Sequence, residues 1–139
     1  MRLWVLDTDT FTLMSHHHSG VTVRALSSPP ECVTVSIVTV QEAFIGRYNK
    51  IKRAKTPEDL VAAYERLAET IKLLRVVPTL SYHGLAAEKF AELRKAYRRM
   101  AKNDLQIAAI TMSHDATLVT CNFADLGQIE GLSIEDWSK

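Results

Sequence analysis

Several things are scarce in this 139-residue sequence, and each scarcity narrows its reading. There are two cysteines, Cys32 and Cys121, at a spacing that makes neither a C-x-x-C pair nor a set of thiolate metal ligands. Free, buried-type thiols fit a reducing, cytoplasmic setting. No apolar run approaches the roughly 20 residues that cross a bilayer, so no membrane span is expected. Asp7 arrives before the apolar core of a signal peptide could form. The net charge is only +1, so no overall excess of one sign announces a nucleic-acid binder, although clusters matter more than sums. No repeat, low-complexity tract or linker divides the chain. No Ser-His-Asp or Cys-His arrangement points to covalent catalysis. His16, His17 and His18 are consecutive, cannot converge on one ion in regular structure, and read as a solvated loop. His83 and His114 read as structural or exposed.

What is present reads as one globular unit over residues 1–139, with 47% hydrophobic residues. Apolar runs alternate with helical patterns. Strands are expected at Leu3–Leu6, Cys32–Val38, Arg75–Thr79 closed by Pro78, Ala116–Thr120 and Gly131–Trp137. Helices are expected near Phe11–Ser15, from Thr39 with Glu42 at capping-box spacing, and from Thr56 with Pro57 at the first position, with a short helical or turn segment over Val21–Leu26. Two more are expected from Ser81 and, capped by Asn103, over Asp104–Ser113. Leu60, Tyr64, Leu67, Ile71 and Leu74 form an apolar stripe that reads as core. Strands separated by helices imply an α/β three-layer sandwich, with a small, mainly parallel central sheet flanked by helices.

Ligands of open parallel sheets bind beyond the carboxyl ends of the strands. Asp7 follows the first strand, Glu42 lies in the first turns after the second, Asp104 opens a buried helix and Asp125 follows the Ala116–Thr120 strand. Taken singly, Asp104 and Glu42 read first as helix caps or dipole partners, and Asp125 as a turn residue. Together, four carboxylates repel unless a cation joins them, and oxygen ligands of this kind suit Mg²⁺ or Mn²⁺. Such ions activate water and clamp a phosphodiester.

The sequence resembles the PIN-domain ribonucleases, specifically the VapC-type toxins of toxin–antitoxin pairs. The likeness is carried by "LWVLDTDTFTLM", "VSIVTVQEAFIGR", "NDLQIAAIT" and "ATLVTCNFADLGQIEGLSIEDW", in that order along nearly the whole chain. It implies a PIN-like fold in which Asp7, Glu42 and Asp104 are the first three metal ligands. For the fourth the resemblance leaves two positions open: many relatives carry Asp at the position of Asn122, others use the acid at the position of Asp125, and here only Asp125 is charged, while Asn122 offers a carbonyl oxygen. Thr8 and Thr120 match polar positions that line the site. Two departures stand out: Ala101 replaces a frequent Gly, and Asp9 stands where many relatives carry Asn. On this reading Asp9, two residues past Asp7, caps the following helix rather than binding metal.

Basic residues cluster after the Glu42 helix (Arg47, Lys50, Lys52, Arg53, Lys55) and before Asp104 (Arg94, Lys95, Arg98, Arg99, Lys102). They read either as solvated faces or as contacts to a phosphate backbone. The resemblance implies a Mg²⁺- or Mn²⁺-dependent endoribonuclease acting on RNA, such as transfer or ribosomal RNA. It also implies a cognate VapB-like antitoxin lying in a helical groove, and a homodimer. The alternatives are a housekeeping nuclease of the same fold and a binding module that no longer cuts.

Overall fold

A computed structural model describes residues 2–139. Five strands form one sheet in the order β3-β2-β1-β4-β5: β1 Trp4–Leu6, β2 Val33–Ser36, β3 Thr79–Leu80, β4 Thr117–Val119 and β5 Ser133–Glu135. Every pairing is parallel. The helices among the described residues are α1 Thr8–Ser15, α2 Ser19–Leu26, α3 Ile37–Arg53, α4 Pro57–Val76, α5 Gly84–Ala96, α6 Lys102–Ser113 and α7 Phe123–Leu126. The expected three-layer α/β sandwich is the fold observed. Neighbouring residues of β1 point to opposite faces. Val5 packs into a core with α5 and α6 (Leu93, Leu105, Ile110), whereas Leu6 packs into a second core with Phe11, Val21, Val35 and Trp137.

Register places the site. Leu6 stands beside Val35 on one side and Val119 on the other. The next residues, Asp7, Ser36 and Thr120, therefore end three adjacent strands in one row. The chain turns into a helix directly after two of them. Asp7 caps α1, its Oδ1 accepting from the Thr10 N–H at 2.8 Å, and Ser36 caps α3, its Oγ accepting from the Thr39 N–H at 3.1 Å.

These caps correct the expectations. Asp7, not Asp9, caps α1. Strand β2 stops at Ser36, and Thr39 lies inside α3, because a serine hydroxyl offers a cap one turn earlier and the β-branched Ile37-Val38 is tolerated in a packed helix. α4 begins as expected at its Thr56 cap, but it extends through Arg75 and Val76, and β3 follows Pro78 instead of preceding it. Pro78 has no N–H to give, but its carbonyl accepts from the Val35 N–H at 3.0 Å. His83, not Ser81, caps α5. α6 starts at Lys102 with no side-chain cap, so Asn103 sits within its first turn. Of the histidine run, His18 caps α2 through Nδ1. Cys32 is buried as expected, but Cys121 is exposed.

The α4 stripe is core only in part: Leu74 packs against the second core and Leu67 is half-buried. Leu60 is 41% exposed and Tyr64 54%, while Ala63 and Thr70 are buried. The helix packs inward through small residues and leaves much of its apolar stripe outside. No helix among the described residues is long and apolar enough to cross a membrane.

Candidate active site

The acidic centre is assembled at the strand-end row by four elements. Asp7, at the end of β1, is buried, and its own N–H donates to the Val119 carbonyl at 3.0 Å. Burial pushes its carboxyl above the ordinary aspartate range. Hydrogen bonds from Thr120 and Thr10 oppose that, and the charge of Asp9 adds to it. Thr120 is fully buried at the end of β4, and its hydroxyl also accepts from the Asn122 N–H at 3.0 Å.

Glu42, on α3, is held at both carboxylate oxygens. Thr8 Oγ1 donates to Oε1, and Asn103 Nδ2 donates to Oε2 at 3.0 Å. A hydroxyl has a single proton to give, so Thr39, 3.2 Å from Thr8 Oγ1, donates to it in turn. A relay of Thr39, Thr8 and Asn103 thus fixes one carboxylate between α1, α3 and α6.

Asp104, in the first turn of α6, has its carboxyl pushed up by burial first. The charges of Glu42, Asp7, Asp125 and Asp9 add to this in that order. The four sequence-selected acids therefore converge in one field. Asp125 is exposed in the short α7. Asn122 caps that helix, accepting from the Asp125 N–H and donating to Asp125 Oδ2, each at 3.3 Å.

Asn103 escaped the sequence reading because it was assigned to the cap of α6. Its signal was the residue two before it: Ala101 has no capping side chain, and a helix starting there frees Asn103 to reach across to Glu42.

Among the described residues, no three acidic, imidazole or thiol side chains are drawn in tightly enough to enclose an ion. Nor does any ion pair among them involve Asp7, Asp9, Glu42, Asp104 or Asp125. Carboxylates crowded together without a basic partner are a donor set suited to a hard divalent cation.

The geometry has a family. The PIN domain family matches residues 5–129, a span that includes all four acids. The chain belongs to the PIN-domain family. Over 99% of both chains, this PIN domain is 26% identical to Ribonuclease VapC1 of Haemophilus influenzae strain R2866. Its fold is shared with the structure of DNA-bound VapBC from Salmonella typhimurium, with a TM-score of 0.81, 23% identity and 99% of each chain covered. It is shared as well with VapBC-1 from nontypeable Haemophilus influenzae, with a TM-score of 0.79, 20% identity and the same coverage.

Proposed function

We propose that this PIN domain is a Mg²⁺- or Mn²⁺-dependent endoribonuclease and the toxin of a toxin–antitoxin pair, working in the cytoplasm as a single unit. The observation that carries the reading is that Asp7, Glu42 and Asp125 all lie near enough to Asp104 to raise its carboxyl, beyond the carboxyl ends of the strands, and that none of the four enters an ion pair among the described residues. The family of the chain and the relatives named Ribonuclease VapC1 support ribonuclease chemistry, and the VapBC structural neighbours support a VapB-like antitoxin partner.

In this reading Asp7, Glu42, Asp104 and Asp125 hold the metal. A bound Mg²⁺ or Mn²⁺ supplies charge neutralisation at the phosphodiester and a water of lowered pKa. The chain's own residues set the geometry for this. The backbone turn into α1 fixes Asp7, whose Oδ1 accepts from the Thr10 N–H. Thr8 and Asn103 prevent Glu42 from swinging away when unliganded. Asn122 steadies Asp125. The Thr120 hydrogen bond favours the charged form of Asp7 and opposes the effect of its burial.

The outward apolar residues of α3 and α4, including Ile45, Tyr48, Leu60, Val61 and Tyr64, support docking of an amphipathic antitoxin segment or a second copy of the chain in a homodimer.

Purified protein incubated with single-stranded RNA tests the reading. Cleavage should require Mg²⁺ or Mn²⁺, stop with EDTA and be absent in Asp104→Asn. RNA cut by Asp104→Asn at the wild-type rate would refute it. Growth arrest on expression, relieved by an adjacent antitoxin gene, separates a toxin from a housekeeping nuclease.

A further inference from the structure

A cavity of about 660 Å³ lies between α3 and α4, lined by His16, Arg47, Lys50, Arg53 and Arg66 together with Gly46, small alanines and one acid, Asp59. Four permanent cations face one carboxylate. Arg66 is anchored, donating to Ser15 Oγ at 2.9 Å and to Glu69 at 3.1 Å. Among the described residues, Arg47, Lys50 and Arg53 enter no ion pair, and the buried Nε of Arg47 has no hydrogen-bond partner. A buried guanidinium N–H without an acceptor is costly unless a ligand supplies one. The crowding shows in the neighbours. Burial, then Arg66, holds the Arg47 guanidinium down, and burial, Arg66 and Arg47 push the His16 imidazole down.

Two helices connect this cleft to the acidic centre. α1 begins at Thr8 in the centre and ends at its cap His16 in the cleft. On α3, Gly46, Lys50 and Arg53 follow Glu42 at i+4, i+8 and i+11 along one side of the helix, which places Arg53 about 16 Å along the axis from Glu42. A side chain at Gly46 would meet nothing within 4 Å, so the helix surface is open at the position between Glu42 and Lys50.

We propose that this cleft binds the phosphate backbone of the RNA strand whose scissile bond lies in the acidic centre, a few nucleotides away. The inference rests on the ribonuclease reading of that centre. An acidic peptide is the competing ligand, but the apolar part of the lining is only glycine and alanine, which gives a peptide no apolar pocket, and the cleft leads toward the acidic centre.

The test uses fluorescein-labelled single-stranded RNA about a dozen nucleotides long, with the full chain in EDTA so that nothing is cut. Anisotropy titrations compare wild type with Lys50→Ala/Arg53→Ala, both exposed positions. Removing two phosphate contacts should flatten the slope of log K against log salt by about 1.4, so that from about 50 to 200 mM salt wild type loses about sevenfold more affinity than the variant. Lys50→Arg/Arg53→Lys should keep the wild-type slope. Equal slopes for wild type and the alanine variant would overturn the proposal, as would a conservative variant as impaired as the alanines. So would a variant that loses poly-glutamate binding while keeping RNA binding, which would assign the cleft to an acidic partner. In Mn²⁺, hydrolysis of bis(p-nitrophenyl) phosphate, which occupies the acidic centre alone, should be unchanged in the variant. If the salt-slope difference appears but wild type hydrolyses neither this ester nor RNA, the cleft assignment stands and the nuclease reading falls.

Discussion

Replacing Asn103 with alanine isolates a positioning role from a ligand role. Asn103 carries no charge and is only half-buried, yet its amide holds Glu42 Oε2 at 3.0 Å while Thr8 holds Oε1. Without it, Glu42 keeps one of its two donors, and its freed oxygen meets solvent, so the fold should lose little. The loss should instead appear in metal affinity. Residues that orient a metal ligand typically contribute 10–100-fold, and since Thr8 remains, the lower end applies: about tenfold, or about 1.4 kcal/mol. Titrating cleavage against Mn²⁺ should show the half-saturating concentration rising by about that factor, with the rate at saturation largely restored. Thr8→Val should behave similarly. The double variant should lose more than the sum of the two single losses, because both donors restrain one carboxylate. An unchanged Mn²⁺ midpoint in Asn103→Ala, or strictly additive losses, would refute the relay.

Three further outcomes follow from the same geometry. Asp7→Asn should abolish cleavage without unfolding the protein, since asparagine also caps α1, whereas exposed Asp9→Asn should stay active; equal loss in both would move the ligand role to Asp9. Metal-free Asp104→Asn should melt above wild type, because burial and four neighbouring acids raise the folded-state pKa of Asp104 above 3.8. An acid raised in this way weakens the fold progressively as pH climbs from 3.8 to its folded pKa, and by a constant amount above that, so the gap should close as pH falls toward 3.8, and adding Mn²⁺ should raise wild type more than the variant; a variant that melts lower in EDTA would contradict this. Glu135→Gln should cost about 1 kcal/mol, or about 4 °C in Tm, because the carboxylate is 25% exposed and its partners Arg2 and Arg24 are 54% and 50% exposed, which screens both pairs. Burial pushes Glu135 up, but the Trp137 indole N–H and the two arginines outweigh it and hold it below 4.5. That stability is complete above 4.5 and disappears as pH falls through the folded pKa, so thermal melts from pH 7 to 3 should show the difference closing, as should 1 M salt; a gap indifferent to both would disprove the ionic origin.

Much of the site was legible because parallel topology is legible. Acids spaced far apart in the sequence, Asp7, Glu42, Asp104 and Asp125, each follow a strand end or open a helix, and a parallel sheet brings such positions to one edge. What stayed hidden depends on tertiary choice among local alternatives. Ser36 and Thr39 are both competent caps, and only the packing of Ile37-Val38 as helix selects the first. The α4 periodicity identified a stripe but not its side. The core accepted Ala63 and Thr70, whose small size lets α3 and α4 approach, and left Leu60 and Tyr64 outside. Asn103 was masked by an ordinary expectation for its residue type.

The central position of β1 couples nuclease activity to the folding reaction itself. Leu6 touches both Val35 and Val119, so the earliest strand is completed only when a segment from the far end of the sequence arrives. Loop closure of that length and parallel pairing are slow steps, and Asp104 and Thr120 reach Asp7 only after them. A partly folded chain therefore lacks the acidic row altogether. In a refolding experiment, RNA cleavage should return with the slowest native phase and never before it, which leaves the cell a harmless interval between synthesis and damage.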